Sequence, residues 1–316
     1  MASLAIGADL GGTNARAAVV DRATGDVRTV HRERLDERSP EAVAEVVARA
    51  VRAAAREAGT HVHRVGVGVA GQCLGATGVV LNAPNLGWRD VAFGPMVAQA
   101  LGVPVRIVND LSAAAWGERQ LGAAKGVDEA ALVFVGSGVG SGLIVGGQLH
   151  DGARGVAGEL GHTKVRPMRG GPPRLCGCGQ RGCLEAYAGG SKLAERVREE
   201  LLAGAASCIP ELVQGDLEQV TASVVDRAAA VGDVYARELW DEVGDLLGTA
   251  IANLITLLNP ARVILGGGVI LGCPELEKLV RLAYAERVSR SAMEGVELVP
   301  AALGEDAGVV GAALLD

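Results

Sequence analysis

Three groups of residues in this 316-residue sequence have types and spacings that can do chemistry. The first is a pair of glycine turns. Leu10-Gly11-Gly12-Thr13-Asn14 joins two apolar runs, Leu4 to Asp9 and Ala15 to Asp21. Gly136-Ser137-Gly138-Val139-Gly140-Ser141-Gly142 joins two more, Ala130 to Val135 and Leu143 to Val145. Successive backbone N–H groups freed of side-chain bulk form a concavity for phosphate oxygens, and two such turns suggest a nucleotide held between two lobes. A carboxylate at Asp9, beside the first turn, can hold the water shell of Mg2+. Neither turn has Gly-Lys followed by Ser or Thr, which excludes a Walker P-loop. The run after the second turn continues as strand, unlike the dinucleotide fingerprint, whose glycines open a helix. The same glycines would also serve simply to make tight hairpins.

The second group is His162, then thirteen residues, then Cys176-x-Cys178 and, after four more, Cys183. Three thiolates and an imidazole make a closed tetrahedral zinc set, and a set without an open position is structural. The alternative is three reduced surface cysteines beside an unrelated histidine. Cys73, Cys208 and Cys273 are scattered and read as small packing residues. The third group is acids and amides. Asn109-Asp110 follows the apolar run Val105 to Val108, at a strand's C-terminal end, where open α/β sheets bind ligands; an aspartate there would also serve as a helix cap. Glu159 precedes His162 by three residues and Glu185 follows Cys183 by two, so a metal joining His162 to Cys183 would carry both acids to one place. Convergent acids and amides without a basic cluster suit a polyhydroxyl ligand, whose hydroxyls donate to carboxylates, better than a phosphorylated metabolite.

The elements that must position these groups form an α/β chain with two similar halves. The first reads ββαβαβ: a hairpin, a helix from Pro40 to Gly59 with Ser39 as N-cap, a strand Val65 to Val69, a helix Pro95 to Leu101 and a strand Val105 to Val108. The second opens with the other glycine hairpin. Helices follow over Ser191 to Leu202, Thr221 to Ala230 and Asp233 to Leu258, then a strand Val263 to Leu265, Gly266-Gly267-Gly268, a helix after Pro274 and a final short helix over Glu305 to Leu315. Arg169-Gly170-Gly171-Pro172-Pro173 reads as an exposed loop. With 49% hydrophobic residues and 3% aromatic, the core must be built from Val, Leu, Ile and Ala on closely approaching backbones. A formal charge of −7 argues against nucleic acid as the main partner. The opening Met1-Ala2-Ser3-Leu4-Ala5-Ile6 has no basic leader segment, and no apolar stretch is long enough to span a bilayer. The expectation is a cytoplasmic protein with no membrane partner.

Taken in order, Asp9-x-Gly11-Gly12-Thr13, Asn109-Asp110, Gly138-Val139-Gly140-x-Gly142, Gly158-Glu159-x-Gly161-His162 and Cys176-x-Cys178-Gly179-x-x-Gly182-Cys183-x-Glu185 resemble the ROK family over nearly the whole chain, and within it the glucokinase branch. The resemblance implies a two-lobed actin/hexokinase-like ATPase fold with duplicated ββαβαβα-type halves and a structural zinc loop. It implies a small lobe of residues 1–110, completed by a C-terminal helix at about 305–316, and a large lobe of 111–304. ATP with Mg2+ would be the phosphoryl donor, a hexose the acceptor, and a homodimer or homotetramer the assembly. Asp110 would be the general base toward the sugar's 6-hydroxyl. Asn85, Asn109, Glu159, His162 and Glu185 would hold the other hydroxyls, His162 using its second ring nitrogen. Gly11, Gly12 and Thr13, with Gly136, Ser137, Gly138 and Gly140, would face the phosphates, and Gly267 and Gly268 the adenosine. Ser137 stands where the family often has threonine and Ser141 where it often has glycine, and the loop from His162 to Cys176 is longer than usual. Asn85-Leu86-Gly87-Trp88 is similar to the glucokinase form of that loop, which favours glucose. Kinases of fructose, mannose or N-acetylmannosamine share the catalytic residues, polyphosphate is an alternative donor, and sugar-sensing repressors share the family but add an N-terminal DNA-binding segment.

Overall fold

Apolar alternation on either side of a tight turn gives the first hairpin, in which β1 (Leu4–Leu10) and β2 (Asn14–Asp21) pair antiparallel with Asp9 opposite Arg16. The computed structural model describes residues 4–168 and 170–315; Met1-Ala2-Ser3, Arg169 of the expected loop and Asp316 lie outside the described residues. A third strand, β3 (Val27–Arg34), extends the hairpin to a meander. Its exposed Arg28, Val30, Arg32 and Arg34 alternate with Thr29, His31 and Glu33, so no apolar period marks it in the sequence. In α1 (Pro40–Glu57) Ser39 occupies the N-cap position, but its hydroxyl donates to Glu37, at 2.6 Å, and accepts no helix N–H. The chain then forms β4 (Val65–Val69), parallel to β1, and the antiparallel β5 (Gln72–Leu74), β6 (Val79–Ala83) and β7 (Trp88–Val91). Helix α2 (Phe93–Leu101), β8 (Val105–Asn109) and α3 (Asp110–Leu121) complete this stretch. The main sheet has the order β3-β2-β1-β4-β8.

A second meander, β9 (Ala130–Val135), β10 (Val139–Val145) and β11 (Gln148–Leu149), precedes α4 (Glu185–Ala188), α5 (Gly190–Leu202), α6 (Ile209–Leu212), α7 (Ala222–Ala230) and α8 (Val234–Leu258). The chain closes with β12 (Arg262–Gly266), α9 (Gly268–Gly272), α10 (Pro274–Arg287), α11 (Arg290–Met293), β13 (Glu297–Pro300) and α12 (Ala307–Ala313). The second sheet runs β11-β10-β9-β12-β13, the same order of meander and added strands as the first.

Two compact units result, one of Met1–Leu132, Gly142–Gly158 and Ala301–Asp316, the other of Val133–Ser141 and Glu159–Pro300. The first thus runs past Asp110, the end expected from the sequence. The reason is the contact of α3 with α12: a Cβ on Gly311 would lie 1.7 Å from the Ala113 carbonyl oxygen, so only glycine lets the two backbones meet. Buried Glu118 of α3 ties the run into α12, accepting from the Ala302 and Leu303 N–H groups at 3.1 and 2.8 Å. One face of the first sheet packs Ile6, Leu10, Val19 and Ile107 against Val43, Val47 and Val51 of α1 and Val97 of α2. On the other face Ala5, Ala18 and Val20 meet Val309, Val310 and Leu314. Helix α12 approaches so closely there that a Cβ on Gly66 would lie 1.9 Å from the Ala312 carbonyl oxygen, whereas a Cβ on Gly68, the other glycine of the Val-Gly-Val-Gly-Val strand, would lie 3.3 Å from Cβ of Ala113 in α3. Among the described residues no helix is long and apolar enough to cross a membrane.

Candidate active site and metal centre

In the first unit β8 ends at Asn109, and α3 begins at Asp110. The Asn109 side chain accepts from the Leu111 and Ser112 N–H groups, at 2.9 and 3.1 Å, and donates to the Gly71 carbonyl at 3.0 Å. It is therefore the helix cap, and one amide hydrogen remains for a ligand. The cap role that sequence allowed to Asp110 falls to its neighbour. One Asp110 carboxylate oxygen accepts from the Leu111 N–H at 3.0 Å.

The first glycine turn closes through the Gly11 N–H to the Asn14 carbonyl, 3.1 Å. It also packs on the loop after β6, where a Cβ on Gly12 would lie 2.8 Å from Cβ of Asn85. Asp9 leaves the end of β1 beneath α12: a Cβ on Gly308 would lie 3.9 Å from the Asp9 carboxylate and 4.0 Å from the Asp110 carbonyl oxygen. Burial pushes the Asp9 carboxyl above its ordinary range, and the Arg16 guanidinium offsets only part of this. Arg16 also binds the Glu305 carbonyl, at 3.0 Å, and the Asp306 carboxylate. Sequence reading passed over Arg16, although a lone cation in the apolar run Ala15 to Val20, across the turn from Asp9, is a signal. It also passed over Ser112, whose hydroxyl donates to Asp151 at 3.1 Å.

In the second unit the other glycine turn is the hub. Its Gly136 and Ser137 carbonyls accept from Gly190 and Ser191 at the start of α5, at 2.8 and 3.0 Å. Glu185 accepts from the Val139 N–H at 3.0 Å, and its carboxylate lies so near Gly138 that a Cβ there would come within 2.5 Å of it. Gly161 meets the Val139 carbonyl as closely, so the Glu159-x-Gly161-His162 segment rests on the same turn. Gly140 is buried within β10. Gly267, at φ +96°, abuts the Val135 carbonyl, while a side chain at Gly268 would meet nothing within 4 Å.

His162, Cys176, Cys178 and Cys183 bring one ligand atom each within 4.8 Å of the others. The Cys178 and Cys183 sulfurs are 3.7 Å apart, and the Cys176 sulfur is 3.8 Å from His162 Nδ1. Ligands of a tetrahedral zinc lie about 3.5–3.8 Å apart, so the donor set fits that ion in number, type and spacing. Burial pushes the Cys176 thiol up to about 12. At Cys178 burial acts the same way but is outweighed by hydrogen bonds from the Gln180 N–H and the neighbouring thiols and by the Lys164 charge, which hold it below its usual range. The Lys164 ammonium stands 3.1 Å from the Cys183 sulfur. The cluster reaches both acids: Cys176 Sγ is 3.5 Å from Glu185 Oε1, and His162 Nε2 is 3.6 Å from Glu159 Oε2. A carboxylate behind a metal-bound imidazole fixes its tautomer and orientation.

The family model for the ROK family matches residues 5–316. The chain belongs to the ROK family. This ROK chain is 33% identical over 313 residues to a glucokinase of Streptomyces coelicolor, covering 98% of this chain and 96% of the relative. It is similar to the crystal structure of a ROK family glucokinase from Streptomyces griseus in complex with glucose and AMPPNP, with a TM-score of 0.81, 33% identity and 98% of each chain covered. A ROK family transcriptional regulator, a homologue of the E. coli MLC protein, superposes with a TM-score of 0.84 at 26% identity, over 98% of this chain and 77% of the regulator. The two sheets with their flanking helices are thus the ROK fold, of the actin/hexokinase type.

Proposed function

We propose that this ROK protein transfers the γ-phosphoryl group of ATP to the 6-hydroxyl of glucose, with Asp110 as general base. The carrying observation is an aspartate at the first turn of α3, immediately after a parallel strand and behind an asparagine cap that keeps one amide hydrogen for a ligand, in a chain alike over nearly its whole length to an enzyme crystallised with glucose and AMPPNP. The Asp110 carboxylate accepts the hydroxyl proton as the sugar oxygen attacks phosphorus. Asn85, Glu159, His162 and Glu185, with the remaining Asn109 hydrogen, orient the other hydroxyls. The N–H groups of Gly11, Gly12 and Thr13 and of Gly136, Ser137, Gly138 and Gly140 line the phosphates, and the open space at Gly268, beside Gly267, admits the adenosine. Positioning and charge neutralisation supply most of the rate in such transfers. Magnesium bound with ATP would neutralise phosphate charge, and a nearby cation would favour the ionised form of the Asp9 carboxyl, which desolvation opposes.

Zinc is the structural metal in this proposal, held by His162, Cys176, Cys178 and Cys183. A cytoplasmic setting, where ATP is made and thiols stay reduced, and a homodimer or homotetramer complete it. The test is a coupled assay with ATP, Mg2+ and a panel of hexoses. Glucose should rank first, and Asp110→Asn should lower kcat about 10²–10⁴-fold with KM for glucose changed only a few-fold. A variant with near wild-type kcat removes the base assignment. A different leading sugar makes the protein a kinase of that hexose, and polyphosphate replacing ATP in the same assay changes the donor. Sugar binding without turnover favours a regulator such as the one it superposes on.

A further inference from the structure

A cavity of about 560 Å³ lies in the first unit between the edge strand β3, helix α1 and the segment that follows it, and shares no residue with the candidate active site. Arg49, Arg52 and Arg56 line it from α1, and their spacing of three and four residues puts them on one helix face. The chain turns at Gly59, φ +64°, and returns His61 to the same cavity. The single lining carboxylate, Glu33, is engaged by Arg49 at 3.3 Å and by His31 at 3.5 Å. Arg52 donates to the Ala100 carbonyl, which steadies its guanidinium without neutralising it. The Arg56 carbonyl accepts from the Gly59 N–H at 3.1 Å, but among the described residues its guanidinium makes no hydrogen bond or ion pair. Two uncompensated guanidiniums, each with several free donors, thus face a hollow within the size range of small-molecule sites, in a chain whose overall charge is −7. Ala53, Ala55 and Val62 add an apolar floor.

We propose that this cavity binds a small phosphorylated molecule carrying two or more phosphate charges, at a site separate from the candidate active site. Guanidinium forks match phosphate oxygens in pairs, and the apolar floor suits a compact organic body between or beside the phosphates. The test is calorimetric titration of fructose 1,6-bisphosphate, glucose 6-phosphate, inorganic tripolyphosphate and sulfate into the full chain at low salt, with a cavity variant distinguishing binding here from binding at the glycine turns. Wild type should bind at least one phosphate compound with a submillimolar Kd. The Arg52→Gln/Arg56→Gln variant should bind it at least tenfold more weakly while keeping wild-type kcat and KM in the absence of that compound. Tightest binding of the sugar bisphosphate assigns a metabolite, and of tripolyphosphate an inorganic chain. The proposal is overturned if wild type binds none of them, if the variant binds equally well, or if sulfate at equal ionic strength binds as tightly as the best phosphate compound, which marks an adventitious ion only.

Discussion

Asp9 and Asp110 both leave strand ends of the first sheet, yet their surroundings differ. Asp110 starts a helix and shares an N–H with its neighbour, whereas Asp9 lies beneath Gly308 with its charge only partly answered by Arg16. Because the Asp9 carboxyl is raised in the folded state, the native protein holds that proton better than the unfolded chain does. Its contribution to stability is therefore present below the unfolded carboxylate value of about 3.9 and is lost as pH rises through the folded value. At neutral pH, above the unfolded value, the desolvated carboxyl is a net cost to the fold, and Asp9→Asn should raise Tm in protein free of metal and nucleotide. The gain should shrink as pH falls toward about 4. Thermal scans of both proteins at the two pH values check this, and a lower Tm for the variant at pH 7 would show that hydrogen bonds to the carboxylate outweigh its desolvation. Arg16 and Ser112 escaped the sequence because their partners, Asp306 and Asp151, are distant in the chain; His162, Cys176, Cys178 and Cys183 were legible because a metal set is written in its spacing.

Helix α12 is short, with seven residues, and its place rests on close backbone contact as well as on the packing of Val309 and Val310. Gly7, Gly66 and Gly117 supply clearance from the strands and from α3, and Gly311 supplies it from α12 itself. Overpacking a core commonly costs about 1–3 kcal/mol, and here the obstacle is a carbonyl that cannot rotate away. Gly311→Val should therefore destabilise by about 3 kcal/mol or more, read as a lower midpoint in urea with an unchanged slope; a loss under about 1 kcal/mol would mean that α12 shifts freely. Helix α1 and the long α8 were legible because an apolar stripe at helical period needs no partner to be seen. Strand β3 was not, because one of its faces is largely solvated and its other face carries Thr29, His31 and Glu33. Strand β13 ends in Pro300 at a sheet edge, where a missing N–H is tolerated, and the three residues of β5 are too few to show a period.

At the scale of the whole molecule, the repeated strand order of the two sheets explains why the sequence shows two glycine hairpins. Each meander ends a strand at a turn whose backbone is stripped of side chains, and each unit then adds its own chemistry. The first supplies the aspartates; the second sets its acids against a Cys/His cluster that could hold a metal. The loop that carries the cluster joins residues from 162 to 183 that little other regular structure organises: among the described residues it holds a three-residue 3-10 turn, Leu160–His162, and isolated bridges such as Lys164 with Cys183. Where a site is unformed in the unfolded chain, metal affinity becomes folding free energy, so the loop, and through Cys176 and His162 the Glu185 and Glu159 carboxylates, should depend on the ion. Elemental analysis of the purified chain should find one zinc per polypeptide. Stripping it with a strong chelator under reducing conditions should lower Tm and raise KM for glucose several-fold, while KM for ATP changes little, because the glycine turn keeps its own bonds to α5. Readdition of zinc should restore both values. Unchanged Tm and KM in metal-free protein would leave the thiolates without a structural role, and the placement of Glu159 and Glu185 would then rest on the glycine turn alone.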